Sequence, residues 1–166
     1  MKKSQRIIEL TSEINDGLKN PNKFNTTYPY KDPNYLLAYP LGQRGRLYLE
    51  LENLHEAMND INHAISLLPN PKRKDELKKE IWKERNVPVI KISLEKTDLE
   101  YEQEYVDDIL RNFAHLYINR GIIYQVWGQL ENAKSDYKTA LKLDPSSKLN
   151  YHQNQLLQGY SGPSIE

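Results

Sequence analysis

The feature of the sequence that most constrains its fold is an internal repeat. Residues 38–69 align without a gap to residues 114–145 at a constant offset of 76, and ten of the 32 pairs are identical. The identities fall mainly on small, aromatic and proline positions: Ala38/Ala114, Arg44/Arg120, Gly45/Gly121, Tyr48/Tyr124, Leu54/Leu130, Ala57/Ala133, Asp60/Asp136, Ala64/Ala140, Leu67/Leu143 and Pro69/Pro145. Such a pattern indicates one supersecondary unit that is used twice.

Each copy has the periodicity of two helices. In the second copy, apolar and small residues recur at spacings of three and four before Gly128, which is expected to end the first helix. A second amphipathic run follows and stops at Pro145. In the first copy, the second helix begins after Asn53, and Glu56 three residues later predicts a capping box. The sequence therefore predicts two helical hairpins in an all-α protein.

The small residues predict that the helices of each hairpin approach closely, because short side chains leave room for aromatic neighbours. With this spacing, residues 38–69 and 114–145 resemble the tetratricopeptide repeat, a helix–turn–helix unit of 34 residues. The residues that carry the resemblance are Leu41, Gly45, Tyr48, Ala57, Ile61, Ala64 and Pro69 in one copy, and Tyr117, Gly121, Tyr124, Ala133, Tyr137, Ala140 and Pro145 in the other.

One departure from the family's pattern recurs in both copies. The family usually has an aliphatic residue before the glycine, whereas this chain has Arg44 and Arg120 there. Both copies also carry an aspartate sixteen residues later, Asp60 and Asp136. Opposite charges in the same register predict a structural ion pair between the paired helices, with ligand binding as the alternative.

The offset of 76 is not a multiple of 34, so something irregular separates the copies. We expect a single domain over residues 1–166, with an insert at 70–113 that supplies a degenerate third unit between the copies. Amphipathic patterns predict an N-terminal cap helix at 4–19 and a C-terminal cap helix at 147–158. The apolar pattern before the second copy runs back to about residue 98, which predicts a long first helix there.

Residues 88–95 alternate apolar and polar side chains, as a strand does. A strand there needs a partner, and we weigh the extended segment at 24–30, a second chain in a homodimer, and a simple loop. The insert also holds a basic stretch at 72–85 and an acidic one at 98–108, whose charges are complementary.

The composition of the chain argues against several classes of function. The 23 basic and 23 acidic residues balance, so no general nucleic-acid binding is expected, and no apolar run is long enough for a membrane span. The absence of cysteine fits a cytoplasmic protein and excludes thiolate chemistry. The four histidines show no metal-ligand spacing, and no nucleotide-binding or nucleophile motif is present. We therefore expect no metal, no cofactor and no enzymatic activity.

The resemblance implies a concave groove lined by the first helix of each unit, which would hold a peptide or a segment of a partner protein. Its residues would be Tyr39, Gln43, Arg46 and Glu50 in the first copy, and His115, Asn119, Ile122 and Gln125 in the second. A second hypothesis is a small chaperone similar to the tetratricopeptide chaperones of bacterial secretion systems. A third, of another class, is a small enzyme or enzyme subunit that uses carboxylates of the insert; a deep pocket joining Asp107 or Asp108 to a histidine would favour it.

Overall fold

The computed structural model describes residues 2–20, 33–68 and 96–159, and every regular element in these ranges is a helix. They are α1 (Lys3–Lys19), α2 (Pro33–Glu50), α3 (Leu54–Leu67), α4 (Lys96–Val126), α5 (Leu130–Leu143) and α6 (Tyr151–Leu157). The predicted all-α class is therefore confirmed. The segments at 24–30, 72–85 and 88–95, with their predicted basic stretch and strand, lie outside the described residues.

Two antiparallel hairpins, α2/α3 and α4/α5, form the centre of the fold. In each hairpin, the two helices approach each other most closely at a glycine residue. A Cβ atom on Gly121 would lie 2.5 Å from Cε1 of Tyr137, and one on Gly45 would lie 2.8 Å from Cγ1 of Ile61. Each hairpin therefore has the close approach that its small residues predict.

The same turn closes both hairpins. The backbone N–H of Asn53 donates to the carbonyl of Tyr48 at 2.9 Å, and that of Gln129 donates to Tyr124 at 2.8 Å. The residue before each donor has a positive φ, 72° at Gly128 and 59° at Glu52. This left-handed residue followed by a bond back across five residues is the Schellman ending of a helix. Gly128 thus ends α4 as predicted.

The capping box predicted at Asn53 and Glu56 is wrong. Asn53 is the residue before α3, but its side chain makes no capping hydrogen bond. Its φ of −82° and ψ of 71° differ from the extended conformation in which a capping side chain turns back toward the first N–H groups. Gln129 has the same backbone geometry at the equivalent position of the other hairpin. The turn, and not a capping side chain, therefore determines the conformation of Asn53.

The two hairpins contact each other directly, because α2 and α3 both pack against α4. A Cβ atom on Gly42 of α2 would lie 2.7 Å from Cδ2 of Leu116 in α4. Leu41, Ile61, Leu116 and Ile123 belong to one buried cluster across this junction. The expectation that the insert at 70–113 supplies a third unit falls mostly on residues outside the described ranges and stays a prediction. Helix α4 is continuous from Lys96, and residues 70–95 lie outside the described part of the chain.

Helices at both ends cover the hairpins. Helix α1, at the site of the predicted cap helix 4–19, packs on α2 through Leu10 and Ile14. Helix α6, within residues 147–158, packs on α5, and Asn150 and Gln153 form a reciprocal capping box at its start. Across the described ranges, no helix is both long and apolar enough to cross a bilayer.

Candidate functional site

A groove of about 430 Å³ lies between α2 and α4. This volume lies in the range of sites that enclose part of a ligand. Helix α2 contributes five lining residues, α4 contributes five, and Leu68 follows the end of α3: Ala38, Tyr39, Gly42, Gln43, Arg46, Leu68, Asn112, Phe113, His115, Leu116 and Asn119.

The floor of the groove is apolar. Gly42 and Leu116 meet there, and Ala38 and Phe113 are buried beside them. Because Gly42 has no side chain, the two helices lie close together at this point. Amide side chains stand along the walls, with Gln43 on α2 and Asn112 and Asn119 on α4.

The structure brings five of the eight predicted groove residues together. Tyr39, Gln43 and Arg46 line one wall, and His115 and Asn119 line the other. Tyr39 keeps 49% of its surface exposed, so its ring is accessible at the rim.

The other three predicted residues do not line this groove. Glu50 lies one turn beyond Arg46 and accepts a hydrogen bond from its Nε at 2.9 Å. Ile122 packs against the core of the second hairpin. Gln125 accepts a hydrogen bond from the hydroxyl of Tyr137 at 2.8 Å, so its oxygen is used inside the hairpin.

Sequence reasoning missed several lining residues, chiefly Gly42, Asn112 and Phe113. Asn112 precedes His115 by three residues and Asn119 by seven, so helical periodicity places all three on one stripe. That signal was present in the sequence. The role of Gly42 depends on its contact with Leu116 of the other hairpin, which the periodicity of a single helix does not reveal.

One carboxylate and two cationic side chains lie together at one end of the groove. Glu50 pairs with Arg46 and also with Nζ of Lys3 in α1, at 3.2 Å. The hydrogen bond from Arg46, followed by that from Lys3, lowers the pKa of Glu50. Glu50 is therefore charged near neutral pH and holds both cations close to the groove.

The arginine and aspartate shared by the two copies form ion pairs within their hairpins. Nε and Nη2 of Arg44 each lie 2.7 Å from an oxygen of Asp60, and the corresponding distances from Arg120 to Asp136 are 2.8 Å. The hydrogen bonds to the aspartates raise the pKa of both arginines. Both aspartates are buried, so these bidentate pairs lie between helices, outside the groove.

Comparison with protein-family models finds the tetratricopeptide repeat twice, at residues 38–71 and 114–147. Each match spans one of the two hairpins. The chain therefore contains two tetratricopeptide repeats. Comparison with the curated proteins and with the solved structures finds no match to it.

The tetratricopeptide repeat family is typically non-enzymatic. The groove between the two repeats contains His115, but neither Asp107 nor Asp108 belongs to its lining. Among the residues described, no three histidine, aspartate or glutamate side chains lie close enough together to hold a metal ion. The chemistry that the groove offers is hydrogen bonding by amides above an apolar floor.

Proposed function

We propose that this protein binds an extended segment of a partner protein in the groove between α2 and α4. Its tetratricopeptide repeats support a protein–protein interaction module in general. The observation that carries the finer proposal is the pairing of amide side chains on both walls with an apolar floor between them.

The amides suit a peptide backbone. Each asparagine or glutamine offers one acceptor and two donors, so Gln43 on one wall and Asn119 on the other can both accept from an N–H and donate to a carbonyl. Because these bonds form irrespective of side-chain identity, the amides fix the course of the segment. The floor at Gly42 and Leu116 then receives an apolar side chain, which supplies binding energy through burial.

The expected affinity is modest. A net hydrogen bond contributes about 0.5–1.5 kcal/mol, and a buried aliphatic side chain contributes about 1.5–3 kcal/mol. A few such contacts must also offset the ordering of the segment, so we expect a dissociation constant in the micromolar range, near −8 kcal/mol. The balanced charge of the chain supports a protein rather than a nucleic acid as partner, and we take the protein to act in the cytoplasm.

The test begins by identifying a partner through affinity capture from the native host. Titration calorimetry then compares the wild type with the double variant Arg46→Ala/Asn119→Ala. We expect at least a tenfold weaker affinity for the partner segment in the variant. The matched control is Arg111→Ala/Asn132→Ala, since these exposed residues lie on α4 and α5 outside the groove lining. Equal affinity of the wild type and the groove variant would contradict the proposal.

A further inference from the structure

The two walls of the groove run in the same direction. Arg120 of α4 contacts Asn62 of α3. Seven residues later Trp127 contacts His55, which lies seven residues earlier in α3. Helix α4 is therefore antiparallel to α3. Because α2 and α3 form an antiparallel hairpin, α2 and α4 are parallel, and equivalent residues of the two copies succeed one another toward the same end of the groove.

Toward that end, α4 carries apolar side chains on the groove stripe. Asn112, Asn119 and Val126 follow one another at intervals of seven residues, which is close to two helical turns. Val126 therefore lies on the same stripe as the two asparagines, and 63% of its surface is exposed. Ile122, one turn before it, is partly buried. Ile122 and Val126 form an apolar shelf beyond the residues that line the groove.

The apolar floor of the groove continues toward this shelf. Leu49 of α2 lies seven residues beyond Gly42, and Ile123 of α4 lies seven residues beyond Leu116. Leu49 packs against the buried cluster that contains Leu116 and Ile123, and part of its surface stays exposed. A bound segment can therefore bury apolar side chains at two levels, one at the floor and one at the apolar shelf.

The wall opposite the apolar shelf is polar. The offset of 76 residues between the copies equates Ile122 with Arg46. The same offset equates Val126 with Glu50. Arg46 and Glu50 form an ion pair at 2.9 Å across one turn of α2, whereas α4 has two apolar side chains at the same spacing. A segment between the walls therefore meets charged groups on one side and apolar surface on the other.

The spacing of the two apolar levels suits an extended chain. From Leu116, Ile122 is six residues away and Val126 is ten, which is roughly 9 Å and 15 Å along a helix. In an extended segment alternate side chains point to the same side, and positions i and i+4 are about 13 Å apart. A residue over Leu116 therefore places the residue four positions on over the apolar shelf.

We infer that the partner segment carries two apolar residues four positions apart, one over the Gly42 and Leu116 floor and one over the apolar shelf, with polar residues between them toward Arg46 and Glu50. The inference rests on the proposed function, since it names the chemistry of the segment that the same groove takes. Burial of the second apolar side chain selects among segments that the amides alone would hold equally.

The test uses three fluorescein-labelled, end-blocked peptides. One is Gly-Leu-Ser-Ala-Ser-Leu-Gly, and in the other two a serine replaces either the first or the second leucine. Both single-leucine peptides are included so that the comparison holds for either orientation of the segment. Fluorescence anisotropy is expected to show about fivefold tighter binding of the two-leucine peptide than of the tighter single-leucine peptide, because a second leucine is partly buried.

Two serine variants of the protein locate this preference. In Val126→Ser the two-leucine peptide should lose its advantage and bind within about twofold of the tighter single-leucine peptide. The matched control is Ile8→Ser, because Ile8 has the same exposed fraction of 63% but lies on α1, outside the two walls. This control should keep the full preference. Circular dichroism checks that both exposed-site variants fold.

Equal affinity of the wild type for the two-leucine and single-leucine peptides would overturn the inference. A preference that survives in Val126→Ser would overturn it too, as would failure of all three peptides to bind. If the peptides bind without the preference but lose affinity in Arg46→Ala/Asn119→Ala, the second apolar level fails while the groove stands. If that double variant binds the identified partner as tightly as the wild type does, the proposed function fails as well.

Discussion

Arg120 of α4 donates a hydrogen bond to Asn62 of α3 across the junction of the two repeats, with 3.1 Å between Nη1 and Oδ1. The same guanidinium holds Asp136 of its own hairpin. Arg44 repeats the arrangement, since it holds Asp60 and donates to Oγ1 of Thr11 in α1 at 3.0 Å. Each arginine therefore joins its hairpin to the preceding helix, and α1 takes the place before α2 that α3 takes before α4.

Removal of one member of such a pair should destabilise the protein strongly. In Arg120→Ala the carboxylate of Asp136, whose side chain is 6% exposed, loses its charged partner. A low-exposure carboxylate without compensation costs about 3 kcal/mol of unfolding free energy. Urea denaturation followed by circular dichroism measures the loss.

Two further variants separate the net contribution of the Arg120–Asp136 ion pair to stability from the cost of leaving the buried carboxylate of Asp136 without a cation. The double variant Arg120→Met/Asp136→Leu should lose less than Arg120→Ala, because no buried charge remains. Arg111→Ala, which breaks an exposed pair with Asp108, should change stability by at most about 0.5 kcal/mol. A double variant that is less stable than the single one would show that the ion pair itself, beyond the desolvated carboxylate, stabilises the fold.

Gly121→Ala tests the close approach of α4 and α5. The new methyl group would lie 2.5 Å from Cε1 and 2.9 Å from Cδ1 of Tyr137. Because the ring of Tyr137 is fully buried, it cannot move aside to accommodate the methyl group. Overpacking of this kind costs about 1–3 kcal/mol, and we expect the upper end. Thermal unfolding measures it. Ser135→Ala provides the comparison, because Ser135 is an exposed residue within the same helix α5. An unchanged melting temperature in Gly121→Ala would contradict the packing described here.

The two hairpin turns allow a paired prediction, since Glu52 and Gly128 occupy the same left-handed position. A side chain in this conformation costs about 1 kcal/mol relative to glycine. Glu52→Gly should therefore stabilise the protein by about 0.5–1 kcal/mol, and Gly128→Ala should destabilise it by about 1 kcal/mol. Opposite shifts in the urea midpoint are expected, and shifts of the same sign would show that the turns differ energetically.

The repeat made the hairpins predictable because their packing is local. Gly121 and Tyr137 are sixteen residues apart, and the same spacing joins each arginine to its aspartate, so the pattern within one copy contains the contact. The contact between the two hairpins was not predictable in this way. Gly42 of the first hairpin contacts Leu116 of the second, and a contact across 74 residues leaves no periodic signal in the chain.

The groove was predictable in part for the same reason. Its walls follow the stripes of single helices, which gave Gln43, Arg46 and Asn119 from the register of the repeat. Its floor and its ends depend on the way the hairpins meet. Gln125 shares the register but points its oxygen at Tyr137, because a fully buried hydroxyl needs an acceptor.

Tyr137 also gives the protein a defined sensitivity to alkaline pH. Burial raises the pKa of Tyr137 to about 12, against the opposing effect of a hydrogen bond with Gln153. The unfolded tyrosine titrates near pH 10, so between about pH 10 and 12 the unfolded state loses this proton while the folded state keeps it. The stabilisation is complete below pH 10 and is lost as the pH rises toward 12, by about 2–3 kcal/mol in total.

Tyr137→Phe should remove this dependence, so the difference in unfolding free energy between wild type and variant is the quantity to measure. At pH 8 the variant is expected to be less stable by about 1 kcal/mol, because Gln125 loses its hydrogen-bond donor. At pH 11.5 the order should reverse, since the wild type has lost stability that a phenylalanine cannot lose. The comparison cancels other alkaline titrations, including that of Tyr117, whose pKa burial also raises. Parallel stability curves for the two proteins from pH 8 to pH 11.5 would show that the Tyr137 hydroxyl ionises in the folded state as readily as in the unfolded one.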